Sequence, residues 1–140
     1  MIYFFGDTHG HFRHVLEIVS RDCPAAIVFL GDLQAQRPLD VELESILGMT
    51  EVWFIHGNHD TDSDADYDNL LGSALADRNL HGRVALVDGV RIAGLGGVFR
   101  GQVWTPPVDW LYESAKDFTA RCGRGNRWRD GLPRKHRSSI

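Results

Sequence analysis

Six side chains able to hold a metal ion or move a proton fall at three places in the chain. Asp7 and His9 follow the apolar run IYFF (2–5), Asp32 follows AAIVFL (25–30), and Asn58, His59 and Asp60 follow EVWFI (51–55). A glycine introduces each group: Gly6-Asp7, Gly31-Asp32 and Gly57-Asn58. Glycine lets the backbone turn sharply and approach a ligand closely. Carboxylate, imidazole and amide oxygen together suit Mn²⁺, Fe or Zn²⁺, not a thiolate-seeking metal. Taken singly, each piece has a plainer explanation. A Gly-Asp after a strand is often a helix cap, and a single histidine usually lies at the surface. Three repeats of the same device point to one site.

That inference needs the three groups to converge, so it depends on the elements between them. IYFF reads as a short buried strand. FRHVLEIVSRD (12–22) carries apolar residues at 12, 15, 16 and 19, a helical spacing, and Pro24 stops it. Residues 25–32 form a second apolar strand. DVELESIL (40–47) has an acidic start that suits a helix N-terminus and Gly48 beyond its end. Strands alternating with helices indicate a parallel sheet of βαβ units. In such a sheet the C-terminal strand ends lie along one edge, where ligands bind. Beyond residue 60 comes an acidic loop leading into a short helix (60–71). Two strand-like runs follow around Asp88-Gly89, a hairpin signal (83–97), then an amphipathic helical stretch (110–122).

Asp7-x-His9, Gly31-Asp32 and Gly57-Asn58-His59-Asp60 resemble the first three motifs of the calcineurin-like metallophosphoesterase superfamily, in order and spacing. The resemblance implies an α/β fold: a layered parallel or mixed β-sheet with flanking helices, of αββα type and here truncated. It implies a phosphoester hydrolase using two divalent metal ions, Mn²⁺ foremost, with Fe or Zn²⁺ as alternatives. Asp7 and His9 would hold the first metal, Asp32 would bridge both, and Asn58 would hold the second. His59 would be the catalytic group that protonates the leaving oxygen, with Asp60 orienting its ring. Two such cations polarise phosphoryl oxygens and activate the attacking water.

The family's later elements, a further ligating histidine and a Gly-His-x-His pair, are absent. His81 and His136 are the only histidines after residue 60. The expectation is a domain over 1–122, followed by a basic tail, 123–140, that begins a missing C-terminal half. An uncovered sheet edge would then favour self-association. The alternative function is a non-catalytic binding or scaffold protein that keeps the fold. GDLQAQRP (31–38) puts Gln36 where protein phosphatases of the family carry arginine, with Arg37 one place on, so a small phosphoester is the expected substrate.

Composition narrows the partners. The net charge of −4 is uneven: residues 121–140 hold seven basic groups against Asp130 alone, while the first 120 hold 8 basic and 18 acidic. A basic tail can bind polyanions, but the acidic remainder argues against nucleic acid, and a solvated segment is the plainer reading. No apolar run approaches bilayer length and no leader precedes the first strand, so a cytoplasmic, membrane-free protein is expected. Cys23 and Cys122 have no metal-ligand spacing and read as reduced thiols. The aspartates of 60–68 fail the EF-hand pattern, which needs Gly and Glu where Ala65 and Leu71 stand. GLGG (94–97) lacks the third glycine of a dinucleotide loop and reads instead as close backbone packing. His11, His14, His56 and His81 are all expected at the surface.

Overall fold

The computed structural model describes residues 1–99, 107, 109 and 114–121. Three strands, β1 (Ile2–Phe5), β2 (Ala26–Leu30) and β3 (Glu51–Ile55), form a parallel sheet in the order β1-β2-β3. Phe5 is in register with Phe29, and Phe29 with Phe54. Parallel neighbours require crossovers, and α1 (Arg13–Asp22) supplies the first. It ends where Cys23 turns left-handed at φ +46° and returns its N–H to the Val19 carbonyl, just before Pro24.

Side chains alternate across a strand, and one face of the sheet carries the core. Tyr3, Phe5, Ile27, Phe29, Val52 and Phe54 pack there against Val15 and Val19 of α1 and Leu70 of α3 (Asp64–Leu71). The second crossover departs from the single helix expected over 40–47. It splits into α2 (Leu39–Glu42) and a 3₁₀ turn (Glu44–Ile46). A stretch this short gains little from α-helical propagation. The tighter second half keeps Leu39, Leu43 and Ile46 all fully buried.

Among the described residues β1 is an edge strand, and it is only partly buried. On the sheet's other face Phe4 is 54% exposed and Leu30 51%. Arg78 lies over the Trp53 ring there, 4.7 Å from its centre. A hairpin of β4 (Arg83–Val87) and β5 (Val90–Gly94) turns at Asp88-Gly89 and pairs antiparallel, as the sequence suggested. Its flanks run alongside β3: the Leu80 amide donates to the Phe54 carbonyl at 2.7 Å, and the Gly97 amide to that of His56 at 2.7 Å. A Cβ at Gly96 would lie 2.7 Å from the His56 carbonyl oxygen, so the GLGG stretch does serve close backbone packing. Of the 110–122 stretch, α4 (Ala115–Arg121) is helical. The basic tail, Arg100 and Cys122 lie outside the described residues. Cys23 is a free, exposed thiol.

His56 overturns its expected surface position. The passing GLGG segment buries it, its ring centre lies 4.8 Å from that of His81, and its Nδ1 has no hydrogen-bond partner among the described residues. His11, His14 and His81 are exposed. Burial, aided by His81, pushes the His56 pKa down to about 4. Below about 6.5 the unfolded chain therefore takes up a proton that the folded chain refuses until pH is near 4. The stabilisation is complete above that range and is lost as pH falls through it. Thermal midpoints measured across this range should fall less steeply in His56→Leu than in the parent chain. An unchanged slope would assign the acid sensitivity to other groups.

Candidate metal centre

The loops after β1, β2 and β3 all leave from the same edge of the sheet, and the structure brings their polar side chains together. Ligand atoms of Asp7, His9 and Asp32 lie within 4.8 Å of one another. Asp7 and His9 are exposed and Asp32 half-buried, so the group opens to solvent. Backbone bonds lock the first two loops side by side: the His9 amide donates to the Asp32 carbonyl at 3.0 Å and the Gly10 amide to that of Leu33 at 2.7 Å. Four residues here, Asp7, His9, Asp32 and Gln34, have φ between +44° and +50°. Non-glycine residues rarely adopt such values, and their clustering is a mark of functional sites.

The loop after β3 meets the loop after β2 through two glycines. A Cβ on Gly31, at φ +98°, would stand 2.9 Å from Gly57 Cα. A Cβ on Gly57 would collide with the Asp32 carboxylate. This contact lets Asp32 Oδ1 accept the His59 amide at 2.9 Å. His59 thereby sits beside the cluster, its ring centre 6.0 Å from that of His9. Asn58 lies half-buried between Gly57 and His59 on the same loop.

Both Asp60 oxygens are taken by backbone amides rather than by the His59 ring. Asp60 is 1% exposed, and its two oxygens accept the Gln34 amide at 2.8 Å and the Gly57 amide at 2.7 Å, clamping two loops together. Burial pushes its pKa up, while the two amides pull against that shift. Asp62 takes the place expected for Asp60: its Oδ2 lies 2.7 Å from His59 Nδ1. That hydrogen bond, helped by the charge of Asp32, raises the His59 pKa.

Two further residues carry no motif signal. Gln34 Oε1 lies 2.6 Å from His9 Nδ1, leaving Nε2 as the ring nitrogen able to ligate. Arg37, next to the family's arginine position, is tied to Glu42 by both its amide and its guanidinium, at 3.2 and 3.0 Å. Gln34 could have been suspected only from its place two residues beyond Asp32.

Two carboxylates and an imidazole within ligand distance of one another are a donor set that fits a divalent cation of the Mn, Fe or Zn kind. The sequence model of the calcineurin-like phosphoesterase family matches residues 1–128, and the chain belongs to that family. It is 41% identical over 140 residues to an uncharacterized protein of Haemophilus influenzae. The match takes in the whole of this chain and 61% of the relative, so the chain spans less than two thirds of that protein's length. No solved structure matches.

Two expectations test the supporting residues. Gln34→Ala should weaken metal binding about 10–100-fold, the usual effect of removing a ligand's outer partner. Gln34→Gly should weaken it similarly yet melt later than Gln34→Ala, because glycine relieves a left-handed backbone that costs roughly 1–2 kcal/mol. Metal titration by calorimetry and thermal melts check both, and unchanged affinity would remove Gln34 from the site. Asp60→Asn should cost about 1–3 kcal/mol in urea unfolding, since an amide nitrogen would face a backbone donor. No loss of stability would mean that the clamp contributes little.

Proposed function

We propose that this chain is a metal-dependent hydrolase of small phosphoesters, with Asp7, His9 and Asp32 holding one divalent cation and Asp32 with Asn58 a second. The observation that carries the reading is the convergence of Asp7, His9 and Asp32 beside His59. Mn²⁺ is the expected ion, with Fe or Zn²⁺ suited to the same donors. Bound there, such cations supply Lewis-acid neutralisation of the phosphoryl oxygens and activation of the attacking water.

The chain's own residues supply position and a proton. Asp32 keeps one oxygen on the His59 amide, which fixes the third loop relative to the phosphoryl position. Gln34 holds His9 by Nδ1, fixing which nitrogen faces the cation. His59, whose Nδ1 is taken by Asp62, uses Nε2 to donate the proton that the leaving oxygen needs. An open depression of about 400 Å³ is lined by Gly10, His11, Phe12, Arg13, Arg37 and Glu42, beginning one residue beyond His9, and is the proposed seat of the alcohol portion of the ester. Among the described residues no helix is long and apolar enough to cross a membrane.

The decisive comparison is between Asp32→Ala and His59→Ala. Asp32→Ala should lose bound metal, read by elemental analysis per chain, and lose activity with it. His59→Ala should retain metal and lose about 10²–10⁴-fold in turnover, the range for a positioned acid. Equal metal loss in both variants would overturn these roles. Full metal occupancy in the parent chain without hydrolysis of any phosphoester would overturn the enzyme reading in favour of a binding protein.

A further inference from the structure

The short segment from β3 to α3 contains two aspartates with separate tasks. Asp60 is spent on the loop clamp, with both oxygens on backbone amides. Asp62 is left facing the His59 ring, Oδ2 to Nδ1 at 2.7 Å. Its own placement is over-determined. The Asp62 amide donates to the His59 carbonyl at 3.2 Å, closing a four-residue turn that folds Asp62 back over His59. Ser63, the next residue, caps α3: its Oγ accepts the Asp66 amide at 3.1 Å and donates to Asp66 Oδ2 at 2.6 Å. The turn and the helix cap thus fix the backbone on either side of the Asp62 side chain.

We infer that Asp62 is the positioning residue of this site, holding the His59 ring by Nδ1–H so that Nε2 alone faces the reacting ester. An ionised carboxylate only accepts, so its bond to Nδ1 requires the proton there. Free imidazole in water prefers the opposite tautomer, with the proton on Nε2. Asp62 reverses that preference and orients the ring in a way that an exposed histidine could not maintain alone. As the oxygen of the attacking water bonds to phosphorus and its proton passes to solvent, the P–O bond to the alcohol breaks, and its electron pair takes the Nε2 proton of the imidazolium. The ring is left neutral, its Nδ1–H still on Asp62, and water restores the Nε2 proton. The chemistry rests on the hydrolase reading above, but the hold on the ring does not.

The test therefore has two arms on the full chain. In the first, ¹⁵N-histidine NMR at mildly alkaline pH, with His59 assigned through His59→Gln, reads the tautomer directly. The parent chain should show His59 protonated at Nδ1, and Asp62→Ala should shift it toward Nε2. An unchanged tautomer would overturn the inference. In the second, metal-loaded parent, Asp62→Asn and Asp62→Ala are compared on an alkyl and a 4-nitrophenyl phosphoester. A group that acts through the proton donor matters most where the leaving oxygen is most basic. Turnover of the alkyl ester should fall about 10-fold or more and that of the nitrophenyl ester much less. Asp62→Asn, which keeps an acceptor, should recover part of the loss seen in Asp62→Ala. Equal losses on both esters would mean that Asp62 is merely structural and would sink the proposal. A parent chain that turns over neither ester would defeat the hydrolase reading, while the NMR arm still decides whether Asp62 holds the ring.

Discussion

The buried carboxylate of Asp60 joins two loops and, with the Gly31–Gly57 contact and the Asp32–His59 bond, holds them at a fixed distance. It takes one amide from the loop after β2 and one from the loop after β3. A carboxylate without partners at 1% exposure would be costly, and each backbone amide without it would be a further unsatisfied group. Bringing the three together removes all of those penalties at once. It also helps fix His59 relative to Asp32, whose Oδ1 accepts the His59 amide. The glycines are part of the same constraint, since a side chain at Gly57 would occupy the space of the Asp32 carboxylate.

The clamp and the interlocked loops have to offset strain. Left-handed backbone at Asp7, His9, Asp32 and Gln34 costs on the order of 1–3 kcal/mol at each position. A net hydrogen bond returns about 0.5–1.5 kcal/mol, or about 1.5–3 where a charge is involved. Either kind of term is therefore comparable with the other, and no single bond could sustain four strained residues. The arrangement is maintained cooperatively, by ladder-like bonds between the first two loops and charged bonds to the third. The sheet beneath supplies the fixed reference, because Phe5, Phe29 and Phe54 lie in register on its core face.

Sequence alone revealed the repeated strand, glycine and ligand device, and with it the parallel sheet and the convergence of Asp7, His9 and Asp32. Those features are periodic or local, so pattern suffices. The pairing of Asp62 rather than Asp60 with His59 was not legible. It depends on which side chain a tight turn folds back, and two aspartates two residues apart look equivalent in the sequence. Gln34 was invisible for a related reason: a glutamine in a loop has no periodicity, and its partner lies 25 positions away. His56 misled because its neighbours resemble those of a surface histidine. The segment that buries it arrives from residues 94–97, across a hairpin whose docking no local pattern encodes. The break between α2 and the following 3₁₀ turn was likewise hidden, since both conformations bury the same leucines.

The site divides its labour by loop. The first two loops, from β1 and β2, carry the acidic and imidazole donors and bond to one another through the backbone, so a cation held by Asp7, His9 and Asp32 depends on adjacent strands only. The third loop carries His59 and its carboxylate partner Asp62, held in turn by a helix cap. Between the two stand Asp60 and the Oδ1 of Asp32, both spent on backbone amides rather than on chemistry. The Asp7, His9 and Asp32 cluster and the His59–Asp62 pair thus stand on separate segments, joined by hydrogen bonds to carboxylates. A change of the His59 or Asp62 side chain removes no member of the Asp7, His9 and Asp32 cluster, whereas a change at Asp32 reaches both parts, because its carboxylate belongs to the cluster and also accepts the His59 amide.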